Sequence, residues 1–340
     1  RRLAAVSGSV TRPQGRRSWA WSGGVVLLLL VSLVGLAIGA VALPPSAILD
    51  ALQGQGDEAT ISIVRMLRAP RVALAALVGA GLSISGGALQ GTLRPPLADP
   101  YLLGVSGGAA VGAVLAMALG IHGPMWLTAS AFGGAACATL VVTGLARVVG
   151  GSGDTRLLLM AGVVVGAFAN AAILVALADA PPDRLRGALW WMMGSAADAS
   201  WASVGRSGAA VVLFGGLLVW RARELDVLAL GSEPAAALGV DVDRAARRIF
   251  LLASWLAAAT VAAAGLVGFV GLVVPNLARA LGARRHRPMM LMSALYGATL
   301  LVAADVLART VRAPAELPLG AVTALIGVPF FLVRLRKVVP

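Results

Sequence analysis

Gln90, Asn170, Asn276 and Asp305 stand within or at the ends of long apolar runs, where a polar group is costly unless it meets a partner or water. Two uses are open to them: hydrogen bonds between helices, or the lining of an aqueous path. Neither involves covalent chemistry, and the rest of the chain offers none. Cys137 is the single cysteine, so neither a disulfide nor a thiolate metal site can form within the chain. His122 and His286 are far apart in sequence and build no histidine metal cluster. The sole lysine, Lys337, precedes Val338, so no G-x-x-x-x-G-K-[ST] phosphate loop exists. The expectation is a chain with no catalytic residue, no metal and no cofactor of its own; if ATP and Mg2+ drive it, another subunit binds them.

The elements that position these residues follow from composition. Of 340 residues, 59% are hydrophobic and 13% charged, with mean hydropathy +0.89. Repeated apolar runs of about 20 residues match a hydrocarbon layer of about 30 Å, which predicts an all-α polytopic membrane protein. Ten spans are expected: Gly23 to Leu43, Val72 to Leu93, Leu102 to Leu119, Met125 to Val149, Leu157 to Ala178, Val204 to Trp220, Ile249 to Val267, Val270 to Leu281, Met289 to Leu307 and Leu319 to Val333. Residues 1–22 read as a basic lead and 23–340 as one membrane-embedded domain. The run at Gly23 is too long for the h-region of a signal peptide.

A net charge of +13 would suggest nucleic acid in a soluble protein. Here the arginines lie between apolar spans, so the charge reads as topology control, with no nucleic-acid partner. With the N-terminus inside, twenty of the 28 basic residues fall on inner segments, which puts both termini in the cytoplasm. Arg65, Arg68, Arg71, Arg309 and Arg312 break that bias by falling outside. They suit either an acidic partner arriving from outside or anchorage at lipid headgroups.

Three further stretches stand out. Gly79, Ser83, Gly87 and Gly91 recur every fourth position, as do Gly104, Gly108 and Gly112, giving flat helix faces for close packing. Leu185 to Trp201 carries Trp190, Trp191 and Trp201, as an interfacial aromatic belt or as a lid over an entrance. Leu228 to Arg248 is the longest polar interruption of the inner segments, within a loop spanning 221–248. Ser232 or Glu233 can cap a short helix with Pro234 in its first turn and Gly239 as its stop, and a second short helix can start at Asp241 or Asp243. On spacing alone it is either a solvated connector or a functional elbow.

Five ordered stretches then resemble one family. RAPRVALAALVGAGLSISGGALQGTLRPPLADPYLLGVSGGAAVGA, ALWWMMGS, LALGSEPAAALGV, GLVGFVGLVVPNLAR and ADVLARTVRAPAELPLGAVTALIGVPFFL are similar to motifs of the FecCD-type permeases of type II ABC importers, which take up cobalamin, haem and ferric siderophores. The similarity covers about Ala42 to the C-terminus. It implies a ten-span permease fold in a bacterial inner membrane, paired with a second copy, two ATPase subunits and a periplasmic binding protein. It places Gly231, Ser232, Glu233, Pro234, Ala237, Leu238, Gly239, Val240 and Asp241 in the ATPase cleft. It makes Arg68, Arg71 and Arg309 the residues that meet glutamates of the binding protein. Asp154 and Thr155 fall at the cytoplasmic gate, Trp191 and Met193 at the outer mouth, and Gln90 and Asn170 become candidates for the path. The chain departs from the family at Pro95, where Asn is common, and at Asn276, where His is common. Among cargoes, a wide path of small and apolar residues favours haem. The rival classes are an ion-coupled secondary transporter, which needs paired intramembrane carboxylates where Asp305 stands nearly alone, and an intramembrane enzyme, which two histidines and one cysteine cannot equip.

Overall fold

Apolar runs in hydrocarbon become helices because only a helix satisfies every backbone group within its own segment. A computed structural model describes residues 15–39, 42–93, 104–121, 123–149 and 155–335, and all regular elements among them are helical: α1 (Gly15–Ala37), α2 (Pro45–Gln53), α3 (Glu58–Ser62), a π-helical turn (Ile63–Arg68), α4 (Ala69–Leu93), α5 (Val105–Ala118), α6 (Pro124–Val149), α7 (Thr155–Ala178), α8 (Pro182–Met193), α9 (Trp201–Ala210), a second π turn (Val211–Gly215), α10 (Gly216–Trp220), α11 (Ala222–Leu228), α12 (Ser232–Ala237), α13 (Val242–Ala264), α14 (Val270–Ala280), α15 (His286–Thr310) and α16 (Leu319–Leu335). Seven helices or continuous helical runs are long and apolar enough to cross a membrane, and α5, α14 and α16 supply three shorter apolar ones. All ten expected spans are therefore present as helices, and the chain is an all-α polytopic membrane protein.

Several boundaries differ from the sequence reading, each for a local reason. Helix α1 is already formed at Gly15, the first described residue, and stops at Ala37, so the last part of the basic lead is continuous with the first span. The second span continues back through the π turn to Glu58, where Asp57 caps it by accepting from the Thr60 N–H. The second short helix expected from Asp241 is the first part of α13, because no Gly or Pro occurs between Val242 and Ala264 to break it.

The small-residue faces set the packing. Along α4, Gly79 and Ser83 lie against Gly297 of α15, Gly87 against Met289 and Gly91 against His286. The stripe read from α4 is thus one seam with α15, running antiparallel over nearly the whole span. Gly108 and Gly112 of α5 meet Gly134 and Ser130 of α6 in the same way. A second knot joins α8, α13 and α16. The Ser195 N–H donates to Ala264 O (2.9 Å), and the Leu319 N–H to Gly194 O (3.0 Å). Gly194 and Gly265 both have φ near +70° to +76° there, and a side chain on Gly265 would strike the Trp191 carbonyl.

Replacing Gly79 with Val drives a branched side chain into the Gly297 backbone. It should lower stability by about 3 kcal/mol or abolish folding. Gly133→Ala meets open space and should be neutral or slightly stabilising. Thermal melting of the purified variants in detergent reads both.

Candidate docking and coupling sites

One end of the bundle is organised around the last turn of α1. A helix ends with carbonyls that lack intrahelical partners and with a negative dipole. Two arginines from other helices answer both. Arg309 Nη2 donates to Gly35 O at 2.6 Å, and Arg68 Nη1 donates to Leu36 O at 2.7 Å and Ala37 O at 2.9 Å. Asp305, one helical turn before Arg309, approaches its Nε at 3.5 Å and accepts from Arg71 Nε at 2.9 and 3.2 Å. The fork of Arg71 closes on Glu316, with Nη1 to Oε1 at 2.8 Å and Nη2 to Oε2 at 2.9 Å. Arg68, Asp305 and Arg309 are all buried.

The structure therefore brings the three expected docking arginines together but turns them inward. They are neither an open basic patch nor anchors reaching to lipid. Arg65 and Arg312 are exposed cations beside the cluster, with Arg184, Arg186 and Arg206 exposed further off on α8 and α9, and Glu316 is the half-exposed member of the cluster. Arg71 holds the Glu316 carboxyl below its ordinary value through the paired hydrogen bonds, against the opposing effect of partial burial.

The opposite end carries α11 and α12. Gly231, with φ of 127°, precedes α12, and Gly239, with φ of 81°, ends its turn. The Val240 N–H returns to Ala235 O at 3.1 Å, and Asp241 caps α13 through the Arg244 N–H at 3.0 Å. Ser232, Glu233, Pro234, Ala237, Leu238, Gly239 and Asp241 are exposed around one buried anchor, Ala235. Leu230 and Leu238 present bare leucine side chains, whereas Val240 packs against the core. The helix and turn expected from the sequence are present, with α11 as an additional helix before them, but the expected Ser232 or Glu233 cap is not formed: Gly231 stands at the N-cap with no side-chain hydrogen bond, and both residues lie inside α12.

Helix α11 grips the transmembrane bundle through a contact between residues 60 positions apart, which no local pattern marks. Asp226 Oδ1 accepts the His286 backbone N–H at 2.9 Å and lies 2.7 Å from its Nδ1. The carboxylate thus serves the first turn of α15 from another helix. The His286 ring and the Leu225 side chain both crowd Gly91.

The path candidates separate. Gln90 does not line an opening. Pro275 has no N–H, which leaves Gly271 O without its usual helical donor, and Gln90 Nε2 supplies one at 3.1 Å while also reaching Leu272 O at 3.2 Å. Its own Oε1 accepts from Arg279 Nη1 at 2.7 Å. Gln90 is a buried bracket between α4 and α14. Asn276 stays on its own helix, donating to Leu272 O at 2.8 Å. Asn170 is exposed on α7, beside the bare Phe168, Leu174 and Val175. Thr155 opens α7, and Asp154 lies outside the described residues. Trp191 borders a cavity of about 480 Å³, and Met193 is exposed at the end of α8.

Seven long and three shorter apolar helices, with a hydrogen-bonded corner at α8 and an exposed elbow at one end, are the architecture of a polytopic membrane subunit. Residues 27–337 match the FecCD transport family. The chain is 43% identical over 274 residues to the cobalamin import system permease protein BtuC of Halobacterium salinarum, covering 81% of this chain and 73% of that one. It is 38% identical to the hemin transport system permease protein HmuU of Yersinia pestis, covering 91% and 92%. A solved structure described as an inward-facing conformation of a metal-chelate type ABC transporter superposes with a TM-score of 0.84 at 29% identity, covering 93% and 98%. The chain belongs to the FecCD family, as a permease subunit of a type II ABC importer.

Glu316 gives an acid signature. A carboxyl lowered in the folded state contributes stability above its unfolded value, near 4.5, and loses it as pH falls through the lower folded value. The melting temperature in detergent should therefore fall as pH drops from about 5 into this range, and Glu316→Gln should lower the neutral-pH value while flattening that fall.

Proposed function

We propose that two copies of this chain form the path of an ATP-driven importer in a bacterial inner membrane. It takes an iron chelate, haem in preference to a ferric siderophore or cobalamin, from a periplasmic binding protein. In this reading both termini and the α12 end face the cytoplasm, and the arginine cluster faces out. The observation that carries it is the seated elbow: an exposed α12 with bare Leu230 and Leu238, backed by the Asp226 contact to α15. Two ATPase subunits closing on ATP would push α12. Helix α11 would follow, and Asp226 would pass the displacement to the first turn of α15.

The exposed apolar face of α7, interrupted by Asn170, supports a second copy packing there and a path without metal ligands. No group of three His, Cys, Asp or Glu side chains fit to hold a metal occurs among the described residues. Haem is preferred because a flat apolar macrocycle suits such a surface.

At the outer end, a binding protein with acidic lobes would be steered by Arg65 and Arg312 and would reach Arg71 by displacing Glu316. Arg68 and Arg309 would hold the docking platform through α1.

Reconstituting the complex with its ATPase and binding protein and measuring ATP hydrolysis with haem, a ferric siderophore or cobalamin tests the cargo; haem should stimulate most. Leu230→Asp with Leu238→Asp should abolish ATPase co-purification while the permease remains folded, and unchanged co-purification would sink the elbow reading. Arg65→Glu with Arg312→Glu should slow binding-protein association several-fold at low salt and little at high salt. An unaltered rate at low salt would remove the steering role. These two sites avoid the buried arginines, whose reversal would break the fold along with any docking.

A further inference from the structure

Helices α6 and α9 both pack on α13 but scarcely on each other. The gap is floored by Ala259, Ala262 and Ala263 and walled by Phe132, Leu213 and Phe214, an apolar slot of about 390 Å³. Small side chains on α13 are what keep it open. Met125 and Leu213, at its rim, are exposed on the outer surface of the bundle, so the slot opens sideways, toward hydrocarbon. It also adjoins the 480 Å³ cavity beside Trp190 and Trp191, and the two share Thr128, Ser203 and Arg206.

Two charges line that second cavity, Arg206 and Asp198. They do not pair with each other, and neither side chain has a hydrogen-bond or ion-pair partner among the described residues. Both are exposed; in the buried part of the bundle, by contrast, Arg71 is joined to Asp305 and Glu316. An exposed cation and an exposed anion at one cavity, beside a sideways-opening apolar slot, complement a ligand bearing both opposite charges. Arg206 stands five residues past Trp201, the first residue of α9, which is about 7 Å along the helix and at headgroup depth for a helix entering there.

We propose that this pair of cavities holds one membrane phospholipid with a primary-amine zwitterionic head, a phosphatidylethanolamine. Its phosphate sits on the Arg206 guanidinium, while the Ser203 hydroxyl stays committed to Ser200 O. Its ammonium reaches Asp198, and one acyl chain fills the slot between α6 and α9. The same amphiphile would hold α6 and α9 at a fixed separation beside the Trp191 corner. The sideways opening is what selects a lipid over a cargo arriving from water.

Native mass spectrometry of the purified protein in mild detergent, titrated with phosphatidylethanolamine, phosphatidylglycerol and phosphatidylcholine of matched chains, tests it. Wild type should retain phosphatidylethanolamine several-fold better than either other lipid. Asp198→Asn should erase the preference over phosphatidylglycerol while keeping phosphate-dependent retention. Arg206→Gln should reduce retention of all three about tenfold, and Arg206→Lys should restore part of it. Ala259→Leu, filling the slot floor, should weaken retention with both charges intact. Melting curves for each variant exclude unfolding as the cause. Equal retention of the three lipids by wild type, or an unchanged preference in Asp198→Asn and Arg206→Gln, overturns the proposal. So does displacement of bound phosphatidylethanolamine by haem at stoichiometric concentration, which would assign the cavities to cargo.

Discussion

Hydrocarbon supplies no water to a stray carbonyl, so wherever a helix of this bundle stops or breaks at membrane depth another side chain must deliver a hydrogen. Two such repairs explain much of the polar inventory. Pro275 interrupts α14, and Gln90 of α4 donates to the Gly271 oxygen that the proline leaves bare. Helix α1 ends at Ala37, and Arg68 and Arg309 cover its last three carbonyls. In both places the donor comes from a different helix, so the repair also fixes how two spans sit against each other. The cationic end of the repair at α1 then demands its own compensation, which Asp305 gives from within the bundle.

Helix α15 is the element on which these constraints converge. At His286 it is held by Asp226 of α11, and 19 residues later it supplies Asp305 to the arginine cluster. Its 25 residues extend about 37 Å at 1.5 Å per residue, long enough to join the two faces of the bundle. The glycine seam with α4 removes the side chains that would let the pair slide or flex independently. In the proposed transport cycle, a push on α12 enters this rod at one end and arrives at the Arg71 and Glu316 contact at the other. Bistable packing at either end, rather than bending of the rod, is the economical way to carry such a signal.

The spans were readable because length and hydropathy are enough to mark a membrane helix. So was the elbow, since Pro234 and Gly239 punctuate it with ordinary capping chemistry. The glycine repeats announced close packing, though not that α15 would be the partner of α4, because a flat face carries no address. What could not be read was which polar side chains answer one another. Gln90 and Asn276 look alike in an apolar run, yet one bridges two helices and the other bonds its own, a difference set by the approach of α14. Asp226 and His286 are 60 residues apart and meet only after three helices have folded. The arginines showed the same limit: their charge was visible and their direction was not, since burial against the α1 terminus depends on where α1 ends.

That burial changes how the proposed docking must work. Arg68, Arg71 and Arg309 face Asp305 and Glu316, so three cations meet two carboxylates and the partial negative charge of a helix terminus. The cluster is nearly balanced and projects little field of its own. Attraction over distance would fall to Arg65 and Arg312, which are exposed and screened by salt. Tight engagement would then require exchange, with an incoming carboxylate taking the place of Glu316 on the Arg71 fork. The exchange trades one charge-assisted pair for another, so its net gain is small and it is readily reversed. A platform that must capture a binding protein and let it go in every cycle is better served by such a swap than by an empty arginine pocket, which would hold an acidic partner too long to turn over.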